Sequence, residues 1–551
     1  MEPEVEPPAE PRPAPASTSD GGPARDIIPR LRLIQGSILG LLLVLVAGLG
    51  YLQLHRSDEY AALAQRQNQR RILTPAPRGL IYDREQRVLV DNRVRTAAVI
   101  NLGALRHDFL REEMALRAQP GNTSAYESAL ADQASASIPA RARAAVVQRH
   151  LDRLNDLLGR NEQIDVARLE HVFARERLTP FILIDALTDA ERQRLTAALS
   201  EADLVQLRRF YERTYPHGRA AAHVLGRVRN ERIRTPVTPD FPTMNYVGPV
   251  GESGIEKQYE NRLRGRPAEA VVHIDAFGFA PDSPLSHHEA TPGEDLTLSL
   301  DLDLQLAAER TMAATPGTPR GAAVALSVQT GEVLALVSKP DFDLNDASPT
   351  LSLETKERID IAGGWLNRAT QGLYPPGSSF KIFTMLAGLR SDTLTNDTRY
   401  RCEGFLHVGT HRFVCHQPAG HGELTVRSAL AHSCNVFAYQ TGLAAGPTSL
   451  ADEARRFHFA EPTGIDLPSE TTRMLVPDPS WKIHDKRGAW TDGDTVNVAI
   501  GQGFLRVSPL QAACAMASLA RRETLTVPTL LHQPTRRPTG DRAPEPLALS
   551  D

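Results

Sequence analysis

The spacing of apolar and polar positions changes several times along this chain, and each change marks an element. Leu33–Leu54 holds no charged residue in 22 positions, and at 1.5 Å per residue such a helix spans roughly 33 Å, enough for a bilayer core. It runs on into YLQLHRSDEYAAL without a small-residue cleavage site, so residues 31–55 read as one uncleaved membrane anchor. Tyr60, Leu63 and Ala64 then share a helix face, until Pro75 and Pro77 open a short-strand pattern around Leu80–Tyr82. Residues 106–214 read as mostly amphipathic helix with charged, solvated faces. In TLSLDLDLQLAAERTM, from Thr297, a period of two turns into a helix, and AAVALSVQTGEVLALVS, from Ala322, predicts a hairpin about Gln329-Thr330-Gly331.

These elements predict an α+β fold in three parts: a single membrane anchor, an elongated pedestal over 56–290, and from 291 to 551 a domain with an antiparallel sheet flanked by helices. The boundary is set at the Pro-, Gly- and His-rich FGFAPDSPLSHHEATPGEDL. Residues 1–30, rich in Pro, Ala and Glu, predict a disordered tail. Arginines flank the anchor on both sides and do not orient it. A short tail before a large soluble part favours the tail in the cytoplasm and the bulk outside the inner membrane. The net charge of −4, with no strongly basic region, argues against nucleic acid as a partner.

One segment concentrates chemistry. In LYPPGSSFKIF, Pro375-Pro376-Gly377 break any preceding helix and Ser378 opens the apolar SSFKIFTMLAGL. Unpaired N–H groups at a helix start favour an alkoxide or oxyanion there. Lys381 is one of only six lysines; one turn on, it would lie beside the Ser378 hydroxyl in an apolar setting that favours its neutral, proton-accepting form. The bland alternative is a capping serine and a snorkelling lysine. A second group, Ser433-Cys434-Asn435, adds a hydroxyl able to relay a proton and an amide able to hold a peptide carbonyl while bonding the lysine; alone it too reads as a cap.

Both motifs, with RGLIYDR at 78–84, YPHGRAAAHVLG at 215–226, SGIEKQYENRLRG at 253–265, GHGELTV at 420–426 and AIGQGFLRVSPLQ at 499–511, resemble the class B penicillin-binding proteins in their elongation-type branch. The resemblance runs over about 30–530. It implies a penicillin-binding, peptidoglycan DD-transpeptidase needing no cofactor for catalysis. Ser378 would attack a stem peptide ending in D-Ala-D-Ala, with Lys381 as first base, Ser433 returning the proton and Asn435 orienting the peptide. The pedestal would meet a membrane glycan polymerase. The family's Lys-Thr/Ser-Gly motif is expected beyond the Gly501-Gln502-Gly503 segment. Its nearest match here, Arg537-Pro538-Thr539-Gly540, has proline in the lysine position, so the domain is expected to be C-terminally incomplete, with open sheet edges. A rival from another class is a catalytically impaired scaffold that binds or activates the polymerase.

Cys402, Cys415, His421 and Cys434 fall within 33 residues and suit a tetrahedral Cys3His zinc site. Some elongation-type relatives carry a metal near this place. A Cys402–Cys415 disulfide and unpaired thiols are the alternatives. His416 and His432 are spare ligand candidates, and Cys514, in an apolar helix, reads as core packing.

Overall fold

The structure, a computed structural model, describes residues 27–548 except 59, 61–67, 119–136, 176–177, 201–202, 235–244, 276–277, 281–284 and 318–319. Of the expected tail over 1–30, residues 1–26 lie outside the described residues, as do Leu63 and Ala64, and residues 27–30 are helical rather than tail. The chain forms two units, Met1–Gln69 and Arg70–Asp551. In the first, Ile27–His55 is one helix. Its stretch Leu31–His55 has a mean hydropathy of 2.2 and no buried residue in its apolar window, as an element that spans lipid would.

β1 (Gln69–Thr74) starts at the last residue of the first unit, and β2 (Ile81–Tyr82) and β3 (Val88–Ile100) follow in the second. The described part of 106–214 is mostly helix, as expected, but it also holds two strands that the pattern did not predict, β4 (Phe181–Leu187) and β5 (Val205–Thr214), antiparallel to β3 on either side of it. FILIDAL is a short apolar run whose periodicity suits helix and strand alike, and VQLRRFYERT carries charge on both faces; pairing with β3 decides both. Ala98 and Ile100 of this sheet pack on the helix Ile138–Leu158 through Val147, Leu151 and Leu154. A ribbon of β6 (Val228–Arg234) with β7 (Asn245–Gly251) follows, and β8 (Ala268–His273) and β9 (Ser286–His288) join β1 in a three-stranded sheet of order β1-β8-β9.

A buried ion cluster ties these segments together. Glu256, fully buried, accepts from Arg78 and from Arg213, each at 2.6 Å, and Arg78 also reaches Glu260 at 2.8 Å. The two guanidinium groups outweigh the burial that opposes ionisation of Glu256, so its pKa lies below the ordinary value.

β10 (Leu296–Thr297) runs parallel to β2, so the expected boundary strand joins the pedestal sheet. After the helix Leu302–Ala314 comes the expected hairpin, β11 (Gly321–Leu326) with β12 (Val333–Lys339). Its Glu332 end is less open than anticipated: Val333 N–H donates to Thr529 O at 2.9 Å and Ser299 N–H to Leu530 O at 2.7 Å. The Arg537–Gly540 segment packs beside it, Val527 N–H donating to Pro538 O at 2.8 Å. Cys514 lies in the core shared by Leu89, Leu336 and Leu510.

Candidate active site

The Pro-Pro-Gly break does what its chemistry predicts. Gly377–Phe380 forms a 3-10 turn that passes into the helix Lys381–Arg390. Phe380 and Phe383 are buried against Phe457 and Phe459, with ring centroids 4.8–5.9 Å apart, which fixes the turn from below. Gly377 N–H donates to Gly501 O at 2.8 Å. Gly501 has φ +70°, and a Cβ there would lie 2.2 Å from Gly377 O, so only glycine lets the two loops meet.

Ser378 is thereby exposed while Lys381, 2% exposed, points inward. Lys381 Nζ donates to Asn435 Oδ1 at 2.6 Å, Ser433 O at 2.5 Å and Ser433 Oγ at 3.1 Å. The expected direct bond to the Ser378 hydroxyl is not among the contacts of the described residues: the three acceptors of the second motif hold the ammonium. Burial pushes the Lys381 pKa below the ordinary lysine value, against the pull of Cys415 and Cys434.

Ser433 adopts φ +49°, a conformation that costs a non-glycine residue energy and is concentrated at functional sites. Next to it, Cys434 caps the helix Asn435–Arg456, its Sγ accepting from Phe437 N–H at 3.5 Å.

The cysteine cluster forms on a small scaffold. β13 (Tyr400–Cys402) pairs with β16 (Gly422–Leu424), and between them β14 (Phe405–Val408) pairs with β15 (His411–Val414). The four candidate ligand atoms lie within 4.8 Å of one another. His421 Nδ1 is 3.6 Å from Cys402 Sγ and 3.7 Å from Cys415 Sγ. A tetrahedron with ordinary Zn–S and Zn–N bonds has S···N edges of about 3.6 Å. The thiols are free, with no Cys402–Cys415 bond. Burial opposes ionisation of Cys415, but the backbone N–H groups of Gln417, Asn435 and Val436 prevail and lower its pKa. Burial and the two neighbouring thiols push Cys434 up to about 12. Burial, with the neighbouring His416, His432 and Lys381, lowers the His421 pKa from its ordinary value, a shift toward the neutral form that a metal ligand needs. His416 and His432 flank the His421 ring at 5.2 and 5.6 Å without joining the set.

Sequence reasoning missed the Val414 carbonyl, which accepts from Asn435 Nδ2 and Tyr439 Oη, both at 3.3 Å, and the three N–H groups around Cys415. Backbone groups leave no signal in residue identity.

A desolvated lysine held by neutral acceptors, one turn from an exposed serine, is equipped for acyl transfer through a serine ester. The fold and this site define a serine acyltransferase. Residues 321–545 match the penicillin binding protein transpeptidase domain, and residues 73–298 the penicillin-binding protein dimerisation domain. The peptidoglycan D,D-transpeptidase MrdA of Acinetobacter baumannii is 30% identical over 524 residues, covering 92% of this chain and 71% of that protein. The protein of that name from Haemophilus influenzae is 28% identical, covering 92% and 72%. The solved complex between penicillin-binding protein PBP2 and MreC from Helicobacter pylori superposes with a TM-score of 0.64 at 24% identity, covering 86% of this chain and 81% of that one. A structure described as the structural coordination of polymerization and crosslinking by a peptidoglycan synthase complex gives 0.60 at 28%, covering 94% and 82%. The chain belongs to the penicillin-binding protein transpeptidase family, in its class B, PBP2-like branch.

Proposed function

We propose that this chain crosslinks peptidoglycan stem peptides as the D,D-transpeptidase of cell elongation, and that the same serine takes up β-lactams. The observation that carries this reading is the engagement of buried Lys381 by Ser433 and Asn435 behind exposed Ser378. Ser378 Oγ attacks the penultimate carbonyl of a stem ending in D-Ala-D-Ala. Its proton passes to neutral Lys381, the Oγ–C bond forms and the amide C–N bond breaks. Ser433 Oγ, 3.1 Å from Nζ, hands the proton to the departing D-alanine amine. An amine of a neighbouring stem then takes the acyl group and frees Ser378. Asn435 orients the peptide and fixes the lysine.

Residues 31–55 anchor the protein in the cytoplasmic membrane, 56–290 form the pedestal, and the catalytic domain from 291 onward works on the periplasmic side. The pedestal meets a membrane glycan polymerase, because crosslinking needs strands made at the same place; a solved PBP2 is complexed with MreC. Zinc bound by Cys402, Cys415, His421 and Cys434 is structural. The ligand separations, and the repulsion that buried thiolates would exert on one another, suit a central cation, which would brace the Ser433–Asn435 corner without entering the reaction. The test is labelling of the full chain by a fluorescent penicillin. Label that Ser378→Ala abolishes supports the reading; a folded protein that takes none at Ser378 overturns it in favour of the scaffold.

A further inference from the structure

The N-terminus of the helix Asn435–Arg456 is held by sulfur. Phe437 N–H donates to Cys434 Sγ at 3.5 Å, and the N–H groups of Asn435 and Val436 donate to Cys415 Sγ. A helix leaves its first N–H groups unpaired, and oxygen-bearing side chains are the usual answer to them. Here two cysteines of the proposed zinc set answer them, one of the two standing between Ser433 and Asn435. The sulfurs that would hold the metal thus also hold the backbone from which Lys381 takes its acceptors.

A third sulfur makes this arrangement oxidisable. Cys402 Sγ lies within hydrogen-bond reach of both Cys415 and Cys434, and all three thiols are free. Its two neighbours are tethered unequally: three backbone N–H groups fix Cys415 Sγ, whereas Phe437 N–H alone holds Cys434 Sγ. A disulfide needs its sulfurs about 2 Å apart, so closing one moves the looser sulfur, Cys434, toward Cys402. The cysteines are buried, but His421 beside them is half-buried and its neighbours His416 and His432 are exposed. Only one side chain's depth separates the sulfurs from solvent.

We propose that this cluster is a redox gate on the catalytic corner, closed by a peroxide-class oxidant through a Cys402–Cys434 disulfide and reset by a dithiol reductant with zinc. Two thiolates give up an electron pair and the S–S bond forms; the O–O bond of the peroxide breaks and, with two protons from solvent, its oxygens leave as water. A cation deprived of two ligands departs. Phe437 N–H loses its acceptor, the backbone at Ser433 shifts, and Ser433 and Asn435 no longer converge on Lys381. Misplacing such groups by about 1 Å can cost on the order of a hundred-fold in rate. What the gate releases and what it stops rest on the zinc and transpeptidase readings; the disulfide and the lost cap depend on neither.

The experiment treats the full chain with hydrogen peroxide. Mass spectrometry should find the Cys402–Cys434 bond, a chromogenic chelator should detect released zinc, amide hydrogen exchange over 433–440 should quicken, and acylation by fluorescent penicillin should fall at least ten-fold. Dithiothreitol with zinc should reverse all four. Cys434→Asp keeps a metal-ligating carboxylate and a good helix cap without the thiol; peroxide should alter neither its exchange nor its acylation relative to the untreated variant. The bond together with faster exchange supports the gate even in protein that holds no zinc or takes no penicillin, results that count against those readings instead. Peroxide that leaves Cys434 unjoined to Cys402, leaves exchange over 433–440 unchanged, or leaves the acylation of a labelling protein undiminished overturns the proposal.

Discussion

Replacing Asn435 with alanine tests how the base is held. The change removes the Oδ1 that accepts from Lys381 Nζ at 2.6 Å and leaves the two acceptors of Ser433. A hydrogen bond to a charged group contributes about 1.5–3 kcal/mol. If that interaction positions the lysine and is lost to the transition state, acylation at its pH plateau should fall about ten- to a hundred-fold. The pH profile should move as well, and its sign follows from the chemistry. Burial already places the Lys381 pKa below the ordinary lysine value. The reactive form is the neutral amine, so acylation rises as pH rises through that pKa. Asn435 Oδ1 stabilises the ammonium; without it the pKa falls further, and the acid limb of the profile shifts to lower pH. The assay is the second-order acylation rate with a fluorescent penicillin, measured across the neutral and alkaline range for both proteins. An acid limb that stays in place or moves to higher pH would refute the assignment of Lys381 as the base that Asn435 holds, even if the plateau falls.

Metal analysis of protein purified without chelator should find one zinc per chain, lost in Cys402→Ser; absence of zinc together with a Cys402–Cys415 crosslink by mass spectrometry would overturn the site. Glu256→Gln leaves Arg78 and Arg213 buried without their shared carboxylate, and urea unfolding should show a loss of about 3–5 kcal/mol. Arg160, with a bond from Thr188 N–H, holds Glu191 down at about 2 from an ordinary 4.5. The stability this pair adds is present above the ordinary value and disappears as pH falls through the folded one. Denaturation midpoints should fall with acid over that window in the wild type and less in Glu191→Gln.

The anchor, the hairpin about Gly331 and the catalytic turn were legible in the sequence because each depends on local chemistry. An unbroken apolar run, a turn glycine and a Pro-Pro-Gly break act within a few residues of themselves. The pairing of Lys381 with Ser433 and Asn435 was legible as a chemical match, since a buried amine needs acceptors and the Ser433-Cys434-Asn435 group offers them. Its geometry was not. Ser433 lies 52 positions from Lys381, and its contact depends on the φ +49° backbone and the capped helix that follows. Strands β4 and β5 escaped detection for the same reason, because strand formation there is settled by pairing with β3 rather than by the residues alone. Cysteine spacing set zinc only narrowly ahead of a disulfide and left free thiols as a further alternative. Only the folding of the 402–434 segment brought His421 within 3.7 Å of two sulfurs and turned backbone N–H groups toward Cys415. The physical division is one of range: torsional preference and hydrophobic pattern are written residue by residue, whereas desolvation and the convergence of polar groups exist only once distant segments have packed.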